Sequence, residues 1–407
     1  MEKKVVLKVL IFYVLFFSSC TNDKIDESLI DPIRLTEEIE ITEINEKLEL
    51  HTLSVISNWM TRPQDRADTQ MYFDNIHLDT KGNWQIVWYA NQTKTENKVG
   101  GILSKHRINK NTFNFSPSTK TLSEFKSYGN FLGVNVASGA EKCASEILNL
   151  KARNYTTNEL VDFVSYLESY VEKDPVKNLP IKIYVSGESE SGGISLLIST
   201  YIYEALQEKL SDVKLLPNDI RVKCFTFNAP SYISSDFASY FNSLPKKADN
   251  QDAFATIDYQ GIHSKKDPIS FLFPQNVFEG INAIDYPMSE ELKEELNSIY
   301  YEIFQKCEEN GVSYVSISEN IEGKHDFIEL NLQNKLSFDV PEVLNSLKDF
   351  KAYAYWQHNF RNTTLNNQGT CIPINPQVFE NCPEEEDIII PIKNLFVESY
   401  YNVLISE

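Results

Sequence analysis

From about residue 50 onward, apolar positions follow two alternating rhythms. Short runs rich in β-branched and aromatic residues read as strands: "NWQIVWYA" (83–90), "IKIYV" (181–185), "IRVKCFTFNAP" (220–230), "FATIDYQGI" (254–262) and "SYVSIS" (313–318). Between them lie longer stretches that read as helices: "LHTLSVISNWM" (50–60), "SGAEKCASEILNL" (138–150), "TTNELVDFVSYLESYVEK" (156–173), "GGISLLISTYIYEALQEKL" (192–210) and "SEELKEELNSIYYEIFQKCEEN" (289–310). The helix over 156–173 is expected to open on a threonine cap and an acidic first turn. The helix from Gly192 is apolar nearly all round at its start, which predicts burial. Strands alternating with helices predict an α/β fold, a mainly parallel central sheet with helices on both faces. The nearly continuous apolar strands agree with burial on two sides.

Composition changes this picture only at the edges. The 407 residues are 42% hydrophobic and 12% aromatic, as a globular core requires. A net charge of −20, with no basic cluster beyond the first few residues, excludes a nucleic-acid partner. The first residues, "MEKKVVLKVLIFYVLFFSSC", place Lys3, Lys4 and Lys8 ahead of the apolar run Val9–Phe17. Nine apolar residues fall short of the roughly 20 a spanning helix needs, so residues 1–19 read as a signal peptide. Ser18 and Ser19 before Cys20 make it resemble a bacterial lipoprotein signal, with Phe17 where leucine is usual. That resemblance implies lipidation of Cys20 as the first mature residue. It also implies a place in the bacterial cell envelope, periplasmic or surface-exposed, tethered to a membrane. Loss of Glu2, Lys3, Lys4 and Lys8 takes the net charge to −22. Residues 20–50 then read as a tether and docking segment, 51–370 as the main domain, and 371–407 as a tail packing on it.

Of the remaining cysteines, Cys371 and Cys382 are expected to pair in an oxidising compartment, and Cys224, in a strand, to be a buried thiol. No His/Cys cluster suggests a metal, and no cofactor is expected.

The chemistry concentrates in "IKIYVSGESESGGISLLIS" (181–199). A strand, a sharp turn and a buried helix surround Ser189. A serine nucleophile on such a turn needs small residues two before and two after it, the basis of the G-x-S-x-G pattern. Gly187 and Ser191 hold those places, with Gly192 and Gly193 following. A frame centred on Ser191 loses the first glycine instead. The helix N-terminus favours a developing oxyanion. Glu188 and Glu190 flank the serine; a full charge about 5 Å from an oxyanion costs roughly 3 kcal/mol at an effective dielectric near 20.

These residues resemble the class 3 (fungal-type) lipase family, especially its bacterial lipoprotein members, within the α/β-hydrolase superfamily. The family elbow reads like "VTGHSLGGALA" where this chain has "VSGESESGGIS". "CFTFNAPSYISSDFASYFN" (224–242) is similar to the family's strand and "FxxP" stretch, and "IHSKKDPIS" (262–270) to the segment carrying its triad aspartate. The departures are Glu188 in place of histidine, Ser191 in place of glycine, and Ser270 where proline is usual. The resemblance implies an acyl-enzyme serine hydrolase of carboxylic esters, lipids above all. Its triad would be Ser189, Asp267 and a later histidine. Only His325, in "EGKHDF", and His358, in "QHNFRNTTL", follow Asp267. His358 is the better match to the family's closing motif, with Thr364 where tyrosine is usual. For the oxyanion hole it implies the Glu190 N–H and a donor from Asn91–Thr93, Thr93 foremost, after "IVWYA". The altered elbow keeps a second reading open: a lipase-like lipoprotein, weakened as a catalyst, that binds rather than cleaves.

Overall fold

The computed structural model describes residues 43–59, 66–74, 80–90, 99–119, 127–155, 157–247, 252–264, 267, 284, 286–328, 341–350, 353, 364–365 and 371–372. Seven strands form one sheet, and their order across it is their order along the chain. They are β1 (Trp84–Ala90), β2 (Gly100–His106), β3 (Thr112–Ser118), β4 (Ile181–Glu188), β5 (Ile220–Phe227), β6 (Ala255–Ser264) and β7 (Lys324–Ile328). The first three pair antiparallel; from β3 onward every pairing is parallel.

Helices cover both faces, as the alternation predicts. On one side lie α1 (Glu43–Trp59) and α2 (Arg66–Phe73). On the other lie α3 (Ser138–Asn149), α4 (Phe163–Lys173), α5 (Glu190–Lys209) and α6 (Ser235–Ser243). The pleat sorts each strand between two cores. Ile181, Ile183 and Val185 of β4, with Ile220, Val222 and Cys224 of β5, join the larger core under α3 to α6. Tyr184, Phe225, Phe227 and Ile262 face Leu50, Leu53, Ile56 and Phe73 of α1 and α2. Helix α5 crosses the middle of the sheet, so its residues from Ser191 to Thr200 are all buried. Helix α7 (Glu290–Glu309) is capped by the Ser289 side chain, which accepts the Leu292 N–H.

Two sequence expectations are corrected. The helix expected over 156–173 starts only at Phe163. Leu160–Val161 pairs instead with Ala152–Arg153, and Asp162 caps the helix by accepting from Ser165 N (2.7 Å) and Oγ (2.9 Å). "SYVSIS" is no strand of the sheet; Ile317–Asn320 within and beyond it forms one helical turn. The last strand is "KHDFI", whose edge position tolerates polar residues and so removes the apolar signal. Helix α1 runs across residue 50.

Cys143, Cys224 and Cys307 are buried free thiols. Cys382 lies outside the described residues, as do residues 1–19, Cys20, Thr93, His358 and most of the tail. Among the described residues no helix is long and apolar enough to cross a membrane, and no three metal-binding side chains cluster.

Candidate active site

Strand β4 ends at Glu188 and α5 begins at Glu190, so Ser189 is the whole of the connection. Its backbone has φ 57° and ψ −133°, a left-handed conformation that a non-glycine residue adopts at a cost of about 1–3 kcal/mol. Backbone hydrogen bonds hold it there. Ser189 N–H donates to Phe227 O of β5 (2.9 Å), and Gly192 N–H donates to Ser189 O (2.8 Å).

The small residues around the turn have a packing reason. A Cβ on Gly187 would lie 2.6 Å from the Ser191 carbonyl carbon, and closer still to Ser191 O and Ser195 Oγ. A Cβ on Gly192 would meet Ala229 Cβ at 2.8 Å, and one on Gly193 the Tyr232 ring at 2.7 Å. The position two after Ser189 accepts a serine: Ser191 is buried, and its carbonyl takes the Ser195 hydroxyl at 2.8 Å. Of the two frames, only the one centred on Ser189 has the strained turn.

The flanking carboxylates part to opposite faces of the sheet. Glu188 is buried and stands in register with Phe227, on the α1 side. Glu190 acts on Tyr232, a member of the core on the other side; burial first, and then the Glu190 charge, pushes that phenol well above its ordinary pKa.

Asp267 is fully buried three residues beyond the end of β6. Strands lie about 4.8 Å apart, so β6 is roughly 10 Å from β4 along the edge where the parallel strands end. His325 lies elsewhere. It belongs to β7, roughly 14 Å from β4 by the same spacing. Its Nε2 is 2.9 Å from Ile321 O and its Nδ1 3.4 Å from His263 Nε2. Those contacts tie His325 to β6 and to the chain just before β7.

The strand expected to lead into an oxyanion donor lies at the far edge of the sheet. β1 is an edge strand, three removed from β4, and Thr93 beyond it lies outside the described residues. The strand beside β4 is β3, tied to it by Ser116 Oγ and Ser186 Oγ at 3.0 Å. Buried Ser118 and Thr119 leave β3 next to the elbow, and Thr119 Oγ1 lies 3.8 Å from Cys143 Sγ. Sequence reasoning passed over "TFNFSPST" because its proline, asparagine and serines resemble a loop. A weak signal existed in Phe113 and Phe115, spaced by two.

With this geometry the chain matches solved structures. Over 77% of its length and 90% of the other chain, it superposes on the crystal structure of M37 lipase with a TM-score of 0.52 and 12% identity. The chain has an α/β-hydrolase-like fold. Lipase II from Rhizopus niveus aligns over 57% of this chain and 76% of its own, with a TM-score of 0.38 and 14% identity. The native Rhizomucor miehei lipase propeptide complex aligns over 58% and 66%, with 0.38 and 14%. No protein-family model and no curated protein matches the chain. At such identities what is shared with the lipases is the fold.

Proposed function

We propose that this α/β-hydrolase-like chain is a serine hydrolase of carboxylic esters, lipid esters foremost, acting through an acyl-enzyme at Ser189. The observation that carries the reading is the strained backbone of Ser189 between β4 and α5. Strain of this kind persists where a function selects it, and here it lifts the hydroxyl off the strand end at a helix N-terminus. In the reaction, Ser189 Oγ attacks the ester carbonyl and gives its proton to His358, and Asp267 orients that imidazole. The protonated imidazole then returns the proton to the leaving alcohol, and water releases the acid. The buried carboxylate of Asp267 beyond β6 is a suitable partner for a histidine placed between it and the elbow. The Glu190 N–H and the chain leaving β3 at Ser118–Thr119 are the candidate oxyanion donors.

Lipid substrates fit the likeness to M37 lipase and to the Rhizopus lipase. They also fit a lipoprotein of the bacterial envelope, anchored through Cys20 and related to the class 3 lipases. The experiment is hydrolysis of p-nitrophenyl esters of graded chain length. Wild-type protein should turn them over, while Ser189→Ala, Asp267→Asn and His358→Ala should each lose a thousandfold or more in kcat/KM. Full activity in His358→Ala together with loss in His325→Ala would reverse the assignment of the base. A folded wild type inert on every ester would favour the binding lipoprotein, for which Glu188 and Ser191 in the elbow are the supporting departures.

A further inference from the structure

The elbow has a back side that this chemistry leaves unused. Glu188, directly before Ser189, is 1% exposed and in register with Phe227. Residues in register on adjacent parallel strands face the same way, and Phe227 belongs to the core under α1. His51, in the middle of α1, is also 1% exposed, and its ring centroid lies 4.9 Å from that of Phe227. Burial holds its imidazole down at about 4, and the charge pulling the other way is the Glu188 carboxylate. A helix imidazole and a strand carboxylate thus share one dry space behind the nucleophile.

Two residues earlier on α1 the polarity is reversed. Glu49 accepts Trp84 Nε1–H at 2.8 Å and lies 3.9 Å from His106 Nε2. His106 Nδ1 accepts the Asn109 N–H at 2.9 Å, which leaves its ring proton on Nε2, facing the carboxylate. Lys47 adds a 2.6 Å ion pair to Asp326 of β7. These contacts pin α1 across the sheet, from β1 and β2 to β7. Of these side chains, His51 is the one whose electrostatic surroundings include Glu188, the residue joined to Ser189.

We propose that His51 is a positioning residue for Ser189, acting through Glu188, so that α1 belongs to the catalytic apparatus; this rests on Ser189 being the nucleophile. A carboxylate in a dry site needs polar neighbours; when one is lost it turns toward water or toward another polar group. Either response shifts the last residue of β4, and with it a serine already held in a strained turn. Small misplacements of a nucleophile can cost a hundredfold in rate.

The test uses the full chain in detergent. The rate constant of fluorophosphonate labelling, kcat and KM on a p-nitrophenyl ester, and the melting temperature are measured for wild type, His51→Ala, His51→Gln, Glu188→Gln and the double variant His51→Ala/Glu188→Gln. His51→Ala should slow labelling and kcat by roughly 10–100-fold with KM unchanged, and His51→Gln should recover most of the loss. In the Glu188→Gln background His51→Ala should add nothing. A His51→Ala protein that melts lower yet labels at the wild-type rate overturns the proposal, as do effects that simply multiply in the double variant. Wild-type labelling that ignores His51 defeats this proposal alone. A wild type that labels on no serine defeats the hydrolase reading and this one with it.

Discussion

Gly187→Ala tests the packing logic of the elbow. The new methyl group would meet three atoms at once, and two of them, Ser191 C and O, are backbone. Backbone atoms cannot rotate away as a side chain does, so β4 and the first turn of α5 must separate. Overpacking of this kind costs typically 1–3 kcal/mol, and backbone contacts put this case at the top of that range, about 3 kcal/mol. For a domain of about 320 residues that lowers the melting temperature by roughly 4–5 °C. The same separation moves Ser189 off its backbone hydrogen bonds, so fluorophosphonate labelling should fall at least about a hundredfold. Adding Ser195→Ala removes the Oγ contact but leaves Ser191 O in place, so the double variant should regain only part of the loss. Gly133→Ala is the control. Gly133 has φ +86° with open space around it, so the change should cost about 1 kcal/mol and leave labelling untouched. A Gly187→Ala protein that melts and labels like wild type would refute the reasoning.

Burial holds His51, His106 and His263 at about 4 in the folded chain, the last also lowered by His325, against 6.5 for a free imidazole. Their contribution is complete above pH 6.5 and is lost as pH falls toward 4, because the unfolded chain binds protons that the folded one refuses. Each is worth about 3 kcal/mol at full effect, so urea midpoints should drop steeply between pH 6.5 and 4.5; midpoints flat across that window would contradict this. Asp162→Ala should cost about 1 kcal/mol by removing the α4 cap and Asp162→Asn much less, as thermal melts would show. Ser189→Gly should raise stability by about 1 kcal/mol, since glycine adopts φ 57° without strain, while abolishing ester hydrolysis; a loss of stability would show that the turn is unstrained.

Much of the fold was legible because its buried elements advertise themselves. β4, β5, β6 and α5 are buried in continuous runs, and their sequences are correspondingly apolar. The elbow could be read because Gly187, Gly192 and Gly193 leave no room for side chains, which marks the turn at the sequence level. β3 and β7 were missed for the opposite reason. Pro117 and the serines of β3 lie in a polar seam where Ser57 Oγ donates to Ser116 O at 2.8 Å, and β7 carries Lys324, His325 and Asp326 at an edge. His51 left no sequence signal: it lies 137 positions before Glu188, and only the stacking of α1 on β4 brings them together.

The central claim, an activated serine at residue 189, is tested most directly by mapping the adduct of a fluorophosphonate probe by peptide mass spectrometry, with Ser189→Ala and Ser191→Ala beside the wild type. The account predicts one phosphonylated residue, Ser189, with labelling lost in Ser189→Ala and kept in Ser191→Ala. An adduct on Ser191, or none on the folded wild type, would contradict it.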